Sequence, residues 1–308
     1  MTRLPLVTGA TGFAGGHLVA LLSSLGIRAR AWGHRAAPAA GDGASEWTAV
    51  DVLDRQAVRA ALDAARPSAI YHCAGIADVH GAWSAPASAL RVNALGTHNL
   101  LESVREIELD CRVLVTGSAL VYRQSLDPIT EDAPIGPTTP YGVSKLAQEM
   151  TARESVVDTL LARPFNHAGP GQSPAYATSA FAQQIAEIEA GRREAVLRVG
   201  NLDAKRDITD VRDTVRAYYA LIERGSVRRP YNICSGRTYS MRALLDVLLS
   251  LARVRVRVEI DPTRLRPSDI PLVHGSHARL TADTGWLPQI PIDQTLSDLL
   301  DHWRARVQ

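Results

Sequence analysis

Residues 6–22 read "LVTGATGFAGGHLVALL", and the architecture of the chain follows from them. The stretch begins as an apolar strand, turns at glycine, and opens an amphipathic helix. Gly9, Gly12 and Gly15 stand three residues apart. Glycine there lets the backbone turn tightly and approach a pyrophosphate, which rests on the unpaired N–H groups of a helix N-terminus. A glycine triplet alone is a weak signal, but one placed between a first strand and a helix reads as a dinucleotide site.

Working outward, the first half alternates short apolar runs with longer helical patterns. The spacing predicts strands at 3–8, 28–32, 68–73, 112–117 and 157–163, and helices near 14–25, 54–65, 86–107 and 141–155. Such alternation predicts βαβ units and a parallel sheet covered on both faces. After about residue 165 glycine and proline become frequent, as in "NHAGPGQSP", and helices follow near 177–190, 211–224 and 241–252. The segment "DPTRLRPSDIPLVHGSHARL" (261–280) is polar and proline-rich and reads as loop-like. The expected architecture is an α/β, Rossmann-type doubly wound parallel sheet over residues 1–165. A smaller C-terminal substrate-binding lobe over 166–308 returns some elements to the main sheet.

The chain has 308 residues, 46% of them apolar, enough to bury a sizeable core. Its formal net charge of +2 is too balanced for nucleic acid or a membrane surface to be the main partner. "RVRVRV" from Arg253 has a period of two, so its arginines read as one solvated strand face. Cys73, Cys111 and Cys234 are widely spaced with no CxxC or Cys/His cluster, which argues against a metal. The first strand begins at Leu4, leaving no room for a signal peptide, and no apolar run spans a bilayer. A cytoplasmic location is expected.

The end of the second predicted strand selects the cofactor. A carboxylate there would bind the ribose 2′-hydroxyl of NAD. This chain carries Gly33, His34 and Arg35, and a guanidinium suits a 2′-phosphate. NADP(H) is therefore favoured, with NAD(H) the alternative. Thr11, Phe13, Val52 and Arg163 join the glycines as expected cofactor contacts. Asp51 is placed to accept from the adenine amino group. Ala74 and Gly75, in "HCAG", close the third predicted strand where the cofactor backbone could pass.

"VTGSALVY" (115–122) ends the fourth predicted strand with Ser118, and "TPYGVSKLAQE" (139–149) places Tyr141 and Lys145 one helical turn apart. The spacing has a chemical reason. The lysine charge would lower the phenol's pKa and hold a ribose, and the tyrosine would act as general acid or base at a carbonyl/alcohol carbon, with Ser118 bonded to that oxygen.

With these motifs the whole chain resembles the extended short-chain dehydrogenase/reductases that act on nucleotide sugars. The resemblance implies that Ser118, Tyr141 and Lys145 are catalytic and that Asn93 of "VNALGT" supports them. Four stretches, "ARPFNHAGPGQ" (162–172), "VGNLDAKRDITDVRD" (199–213), "YNICSG" (231–236) and "GSHARLTADTGW" (275–286), are similar to segments of the GDP-mannose 4,6-dehydratases and GDP-4-keto-6-deoxy-mannose reductases. They imply Asn166 at the sugar diphosphate, Arg206 near the phosphates, Asn201 and Lys205 at the guanosine, and Arg279 as a further diphosphate ligand.

A dehydratase needs further acid/base groups, and the resemblance implies that one is an acidic residue within two positions after the catalytic Ser/Thr. Here those positions hold Ala119 and Leu120, which transfer no proton. The expected activity is NADPH-dependent reduction of a GDP-4-keto-6-deoxyhexose to a GDP-6-deoxyhexose such as GDP-rhamnose. A 4-epimerase is the alternative, followed by a dehydratase and a non-catalytic NADP(H)-binding protein. The resemblance further implies a homodimer built on a four-helix bundle from the helices near 86–107 and 141–155.

Overall fold

A computed structural model describes residues 3–34, 46–79, 81–264 and 270–307. In chain order its strands are β1 (Leu6–Thr8), β2 (Arg30–Gly33), β3 (Glu46–Ala49), β4 (Ala69–His72), β5 (Arg112–Thr116), β6 (Thr159–Pro164) and β7 (Asn166–Ala168). The remainder are β8 (Val196–Val199), β9 (Lys205–Asp210), β10 (Pro230–Ile233), β11 (Thr238–Ser240), β12 (Arg257–Ile260) and β13 (Leu272–Val273). The first helices are α1 (Phe13–Ser24), α2 (Arg55–Ala65), α3 (Gly81–Ser84), α4 (Pro86–Leu90), α5 (Gly96–Glu106) and α6 (Pro140–Glu154). They are followed by α7 (Ala177–Glu189), α8 (Val211–Arg224), α9 (Met241–Ser250), α10 (Ala278–Thr284) and α11 (Ile292–Val307).

Seven parallel strands form the main sheet in the order β10-β6-β5-β4-β1-β2-β3. The order reverses between β1 and β4, so a crevice opens beyond their carboxyl ends, where doubly wound sheets bind ligands. Alternation along the strands divides the core. Val7, Tyr71, Leu114 and Leu160 pack on one face with Leu18 and Leu22 of α1 and Tyr218 and Leu221 of α8. Leu6, Ile70, Val113 and Leu161 pack on the other with Leu62 of α2 and Leu100 and Val104 of α5. A side chain that points up is followed by one that points down, which is why near-continuous apolar runs suit strands buried on both faces.

A smaller sheet places β9 between β11 and β13, and β7 pairs in parallel with the C-terminal half of β9. β8 and β12 pair separately. Helices α7, α9 and α11 cover a further core containing Phe181, Leu197, Leu244, Leu248 and Trp303.

Four details differ from expectation. The segment 261–280, expected to be loop-like, carries a 3-10 turn at Pro262–Arg264, β13 and the start of α10. β3 and β10 extend the main sheet beyond the predicted strands, because short edge segments carry little apolar periodicity of their own. The predicted helix at 86–107 is divided by a π-helical turn, Arg91–Leu95, which carries Asn93. The "RVRVRV" segment pairs as a strand only from Arg257, although Arg253, Arg255 and Arg257 are all exposed.

Candidate active site

The turn after β1 is built for close approach. Gly9 has φ +65°, and a Cβ on it would lie 2.6 Å from the Ala74 nitrogen. A Cβ on Gly15 would lie 2.2 Å from the Gly9 oxygen. Gly12 is the N-cap of α1, so the helix presents its first N–H groups beside this turn. Across the crevice, a Cβ on Gly75 would come within 2.7 Å of Asn93 Oδ1 and 3.3 Å of Lys145 Nζ. Only glycine leaves this passage open, and a passage between backbone walls at a helix N-terminus fits the pyrophosphate of a dinucleotide. Thr11 is exposed on the same turn, and Phe13 is half-buried at the start of α1.

Farther along, the exposed His34 at the end of β2 lies 3.9 Å from Asp51, whose other carboxylate oxygen accepts from the Leu53 nitrogen at 2.9 Å. Arg35 lies outside the described residues. Val52 is buried and packs against Gly96, where a Cβ would stand 2.8 Å from its methyl group.

Ser118 follows β5 and caps a short 3-10 turn, its hydroxyl accepting from the Leu120 nitrogen at 3.1 Å. Thr139 caps α6 by accepting from the Gly142 nitrogen, and Pro140 occupies the first turn, where its missing N–H costs nothing. Together these caps bring the Tyr141 phenol beside Ser118, whose hydroxyl opposes the rise that burial gives the phenol's pKa. Tyr141 is buried among Ala82 and Ala89, with Ile76, Val79 and Leu120 packed alongside.

Lys145 is also buried, and its ammonium donates to the Thr116 carbonyl at 2.9 Å and to Gln148 Oε1 at 2.8 Å. Burial lowers its pKa to about 8. Asn93 lies across Gly75 from Lys145 and holds the site through other partners. Its side chain accepts from the Ile76 nitrogen at 2.8 Å and donates to Ser144 at 2.9 Å, fixing the strand-end loop against α6.

The electrostatics of the phenol differ from the expectation that Lys145 lowers its pKa. Burial raises the Tyr141 pKa, and only the Ser118 hydrogen bond opposes it. The reason is geometric. Nζ stands 6.0 Å from the Tyr141 ring centroid and is turned toward Thr116 and Gln148.

Arg163 likewise has partners other than the expected cofactor. It is fully buried and donates to both oxygens of Glu149 at 2.8 and 2.6 Å, while stacking on Tyr122 at 4.6 Å. A buried guanidinium requires such compensation, and this pair clamps β6 to α6. Arg279 donates through Nη2 to both oxygens of Asp132 at 2.8 Å and lies 3.7 Å from Glu131, so carboxylates are its neighbours in this structure.

The expected sugar-nucleotide residues gather on the smaller sheet. Asn166 is exposed at the start of β7, and Lys205 and Arg206 begin β9 beside it. Arg206 donates to the Lys205 carbonyl at 2.9 Å. Asn201 accepts from the Asp203 nitrogen at 2.9 Å.

Two residues not singled out in the sequence help to build this region. The buried Asp207 accepts from Ser235 (nitrogen at 2.7 Å, hydroxyl at 2.6 Å) and from the Gly236 nitrogen at 3.0 Å, drawing the segment after β10 onto β9. Burial raises its carboxyl pKa against those bonds. Tyr176 donates to the Ala77 carbonyl at 2.9 Å and is close enough to influence Tyr141. Its only signal in the sequence is an isolated aromatic in the loop "QSPAY".

A Rossmann-type sheet whose β5 end, α6 and glycine turn converge on Ser118, Tyr141 and Lys145 defines an extended short-chain dehydrogenase/reductase. Residues 6–299 match the family model described as GDP-mannose 4,6 dehydratase, and the chain belongs to that family. It is 36% identical to the GDP-6-deoxy-D-mannose reductase of Pseudomonas aeruginosa, over 100% of this chain and 99% of that protein. It also superposes on a solved structure of RMD from Pseudomonas aeruginosa complexed with NADPH, with a TM-score of 0.86 and 35% identity, covering 99% of this chain and 100% of the other. A more distant relative is UDP-glucose 4-epimerase 2 of Oryza sativa subsp. japonica, 28% identical over 96% of this chain and 80% of that protein.

Proposed function

We propose that the protein is an NADPH-dependent reductase that converts the 4-keto group of a GDP-4-keto-6-deoxyhexose to the alcohol, giving a GDP-6-deoxyhexose such as GDP-rhamnose. The observation that carries this reading is full-length likeness to a GDP-6-deoxy-D-mannose reductase, combined with Ser118, Tyr141 and Lys145 beside the glycine cradle. The family model bears the dehydratase name, but the two positions where the resemblance implies a dehydratase acid hold Ala119 and Leu120, and Leu120 packs apolar surface against Tyr141.

In this reading Gly9, Thr11, Gly12, Phe13 and Gly15 receive the pyrophosphate, while Ala74 and Gly75 leave its passage open. NADP(H), when bound, supplies the hydride. Ser118 donates a hydrogen bond to the ketone oxygen and Tyr141 protonates it as charge develops there. Lys145, held by Thr116 and Gln148, receives the nicotinamide ribose. Asn166, Asn201, Lys205 and Arg206 hold the GDP portion, so residues 166–308 serve mainly as the nucleotide-sugar lobe.

NADPH consumption with GDP-4-keto-6-deoxy-mannose, generated in place by a dehydratase, tests the proposal. Oxidation of the cofactor with formation of a 6-deoxyhexose is the expected result. No oxidation, together with interconversion of 4-epimers of a nucleotide hexose, would move the activity to an epimerase.

A homodimer belongs to the same reading. Val143 and Met150 of α6, with Leu90 and Leu95 around the π turn, are exposed apolar side chains on the helices expected to pair. Sedimentation at micromolar concentration should give twice the chain mass. A cytoplasmic location is part of the proposal, consistent with Cys73, Cys111 and Cys234 as free thiols.

A further inference from the structure

A buried chain of hydrogen bonds runs from Lys145 to the first glycine turn. Gln148 is fully buried in α6, three residues beyond Lys145. Its side-chain oxygen accepts from Nζ at 2.8 Å, and its amide nitrogen donates to Thr97 Oγ1 at 2.9 Å. The Thr97 hydroxyl donates to the Asn93 carbonyl at 2.7 Å, so it faces Gln148 and His72 with lone pairs. His72 Nε2 is 2.9 Å away and must therefore carry the ring proton. The other ring nitrogen then accepts from Thr8 Oγ1 at 2.8 Å, and Thr8 accepts from the Ala74 nitrogen at 3.2 Å. Ala74 is the residue against which Gly9 is packed. Thr8, His72, Asn93, Thr97 and Gln148 are all buried, so each bond has one permitted direction.

We propose that Gln148 is a positioning residue for Lys145. Its oxygen fixes the ammonium between the Thr116 carbonyl and the crevice, and its amide, acting through Thr97, His72 and Thr8, ties that placement to the cofactor turn. The inference rests on the reading of Lys145 as part of the catalytic set.

The groups facing Lys145 explain why one neutral amide matters. Tyr141 comes from its own helix, His72 and Cys73 from the end of β4, Thr116 from the end of β5, and Asn93 from the π turn. Burial holds His72 neutral and pushes the Cys73 thiol up to about 12. No carboxylate is among these groups, so the Gln148 and Thr116 oxygens are the acceptors that stabilise the ammonium.

The pH dependence of kcat for NADPH-driven ketosugar reduction tests the proposal in Gln148→Met and Gln148→Glu, beside Tyr141→Phe and Lys145→Met. Removing the acceptor should disfavour the charged lysine, and adding a carboxylate should favour it. The alkaline limb should move down by about one pH unit in Gln148→Met and up by at least that in Gln148→Glu. A merely structural glutamine would lower activity without moving the limb in opposite directions. Limbs coincident with wild type, while Tyr141→Phe and Lys145→Met are inactive, would overturn the role of Gln148 and leave the catalytic reading intact. Wild-type turnover in Lys145→Met would overturn both. Should Gln148→Met lose its cooperative thermal transition, the Gln148→Glu limb decides alone: upward supports, unmoved overturns.

Discussion

The imidazole of His167 lies flat over the phenyl ring of Phe13, centroids 5.7 Å apart and planes 8° from parallel. Phe13 opens α1 on the cofactor turn, and His167 belongs to β7, one residue beyond Asn166. A second link runs alongside, where His17 of α1 meets the Pro170 carbonyl at 2.8 Å. The expected cofactor loop and the expected sugar loop are therefore one packed unit.

This contact predicts coupled binding. Stacked aromatic pairs contribute about 0.5–1.5 kcal/mol beyond their buried area, or roughly 2–10-fold in affinity. Phe13→Ala should weaken NADPH binding and raise KM for the ketosugar together. Fluorescence titration and steady-state kinetics check this, and a change in one without the other would show that the stack couples nothing.

Tyr141→Phe should reduce turnover by roughly 10²–10⁴, the range for loss of a general acid. The phenyl ring keeps its place among Ala82 and Ala89, so NADPH affinity should stay near wild type. Single-turnover kinetics separate the two effects. Undiminished turnover would remove Tyr141 from the chemistry.

Arg163 should matter for stability rather than for the cofactor. Arg163→Met leaves Glu149 buried without its principal partner and should cost roughly 3–5 kcal/mol. Denaturant titration measures this loss. NADPH affinity of the folded variant should be little changed, and a large loss of affinity with unaltered stability would restore Arg163 to the cofactor site.

His72 predicts an acid limit. Burial lowers its pKa to about 3 from an ordinary value of 6.5, so below 6.5 the unfolded chain takes up a proton that the folded chain refuses. Stability is then lost as pH falls from about 6.5 toward 3, by about 1.4 kcal/mol per unit within that window. His72→Gln should show a shallower decline in melting temperature across the same range. Parallel declines would mean that other groups set the acid limit.

Much of this arrangement was legible from residue order. Gly9, Gly12 and Gly15 read as a cradle because only glycine permits those backbone approaches. Tyr141 and Lys145 read as a pair because one helical turn separates them. β3 and β10 are not legible there, because a four-residue strand at the edge of a sheet carries too little alternation to stand out from a loop. Nor is the π turn at Arg91–Leu95, because hydrophobic periodicity barely registers one extra residue in a helix.

Residue order alone dictates what is local: the strand-turn-helix at 6–22, the alternation that builds the parallel sheet, and the residue types at Ser118, Tyr141 and Lys145. These depend on backbone sterics and short-range spacing. The tertiary structure alone decided which distant groups meet. It committed Arg163 to Glu149 and Arg279 to Asp132 because a guanidinium taken out of water needs a carboxylate. It also joined Gln148, Thr97, His72 and Thr8, brought from separate helices and strands, because buried polar groups must find partners wherever the packed fold places them.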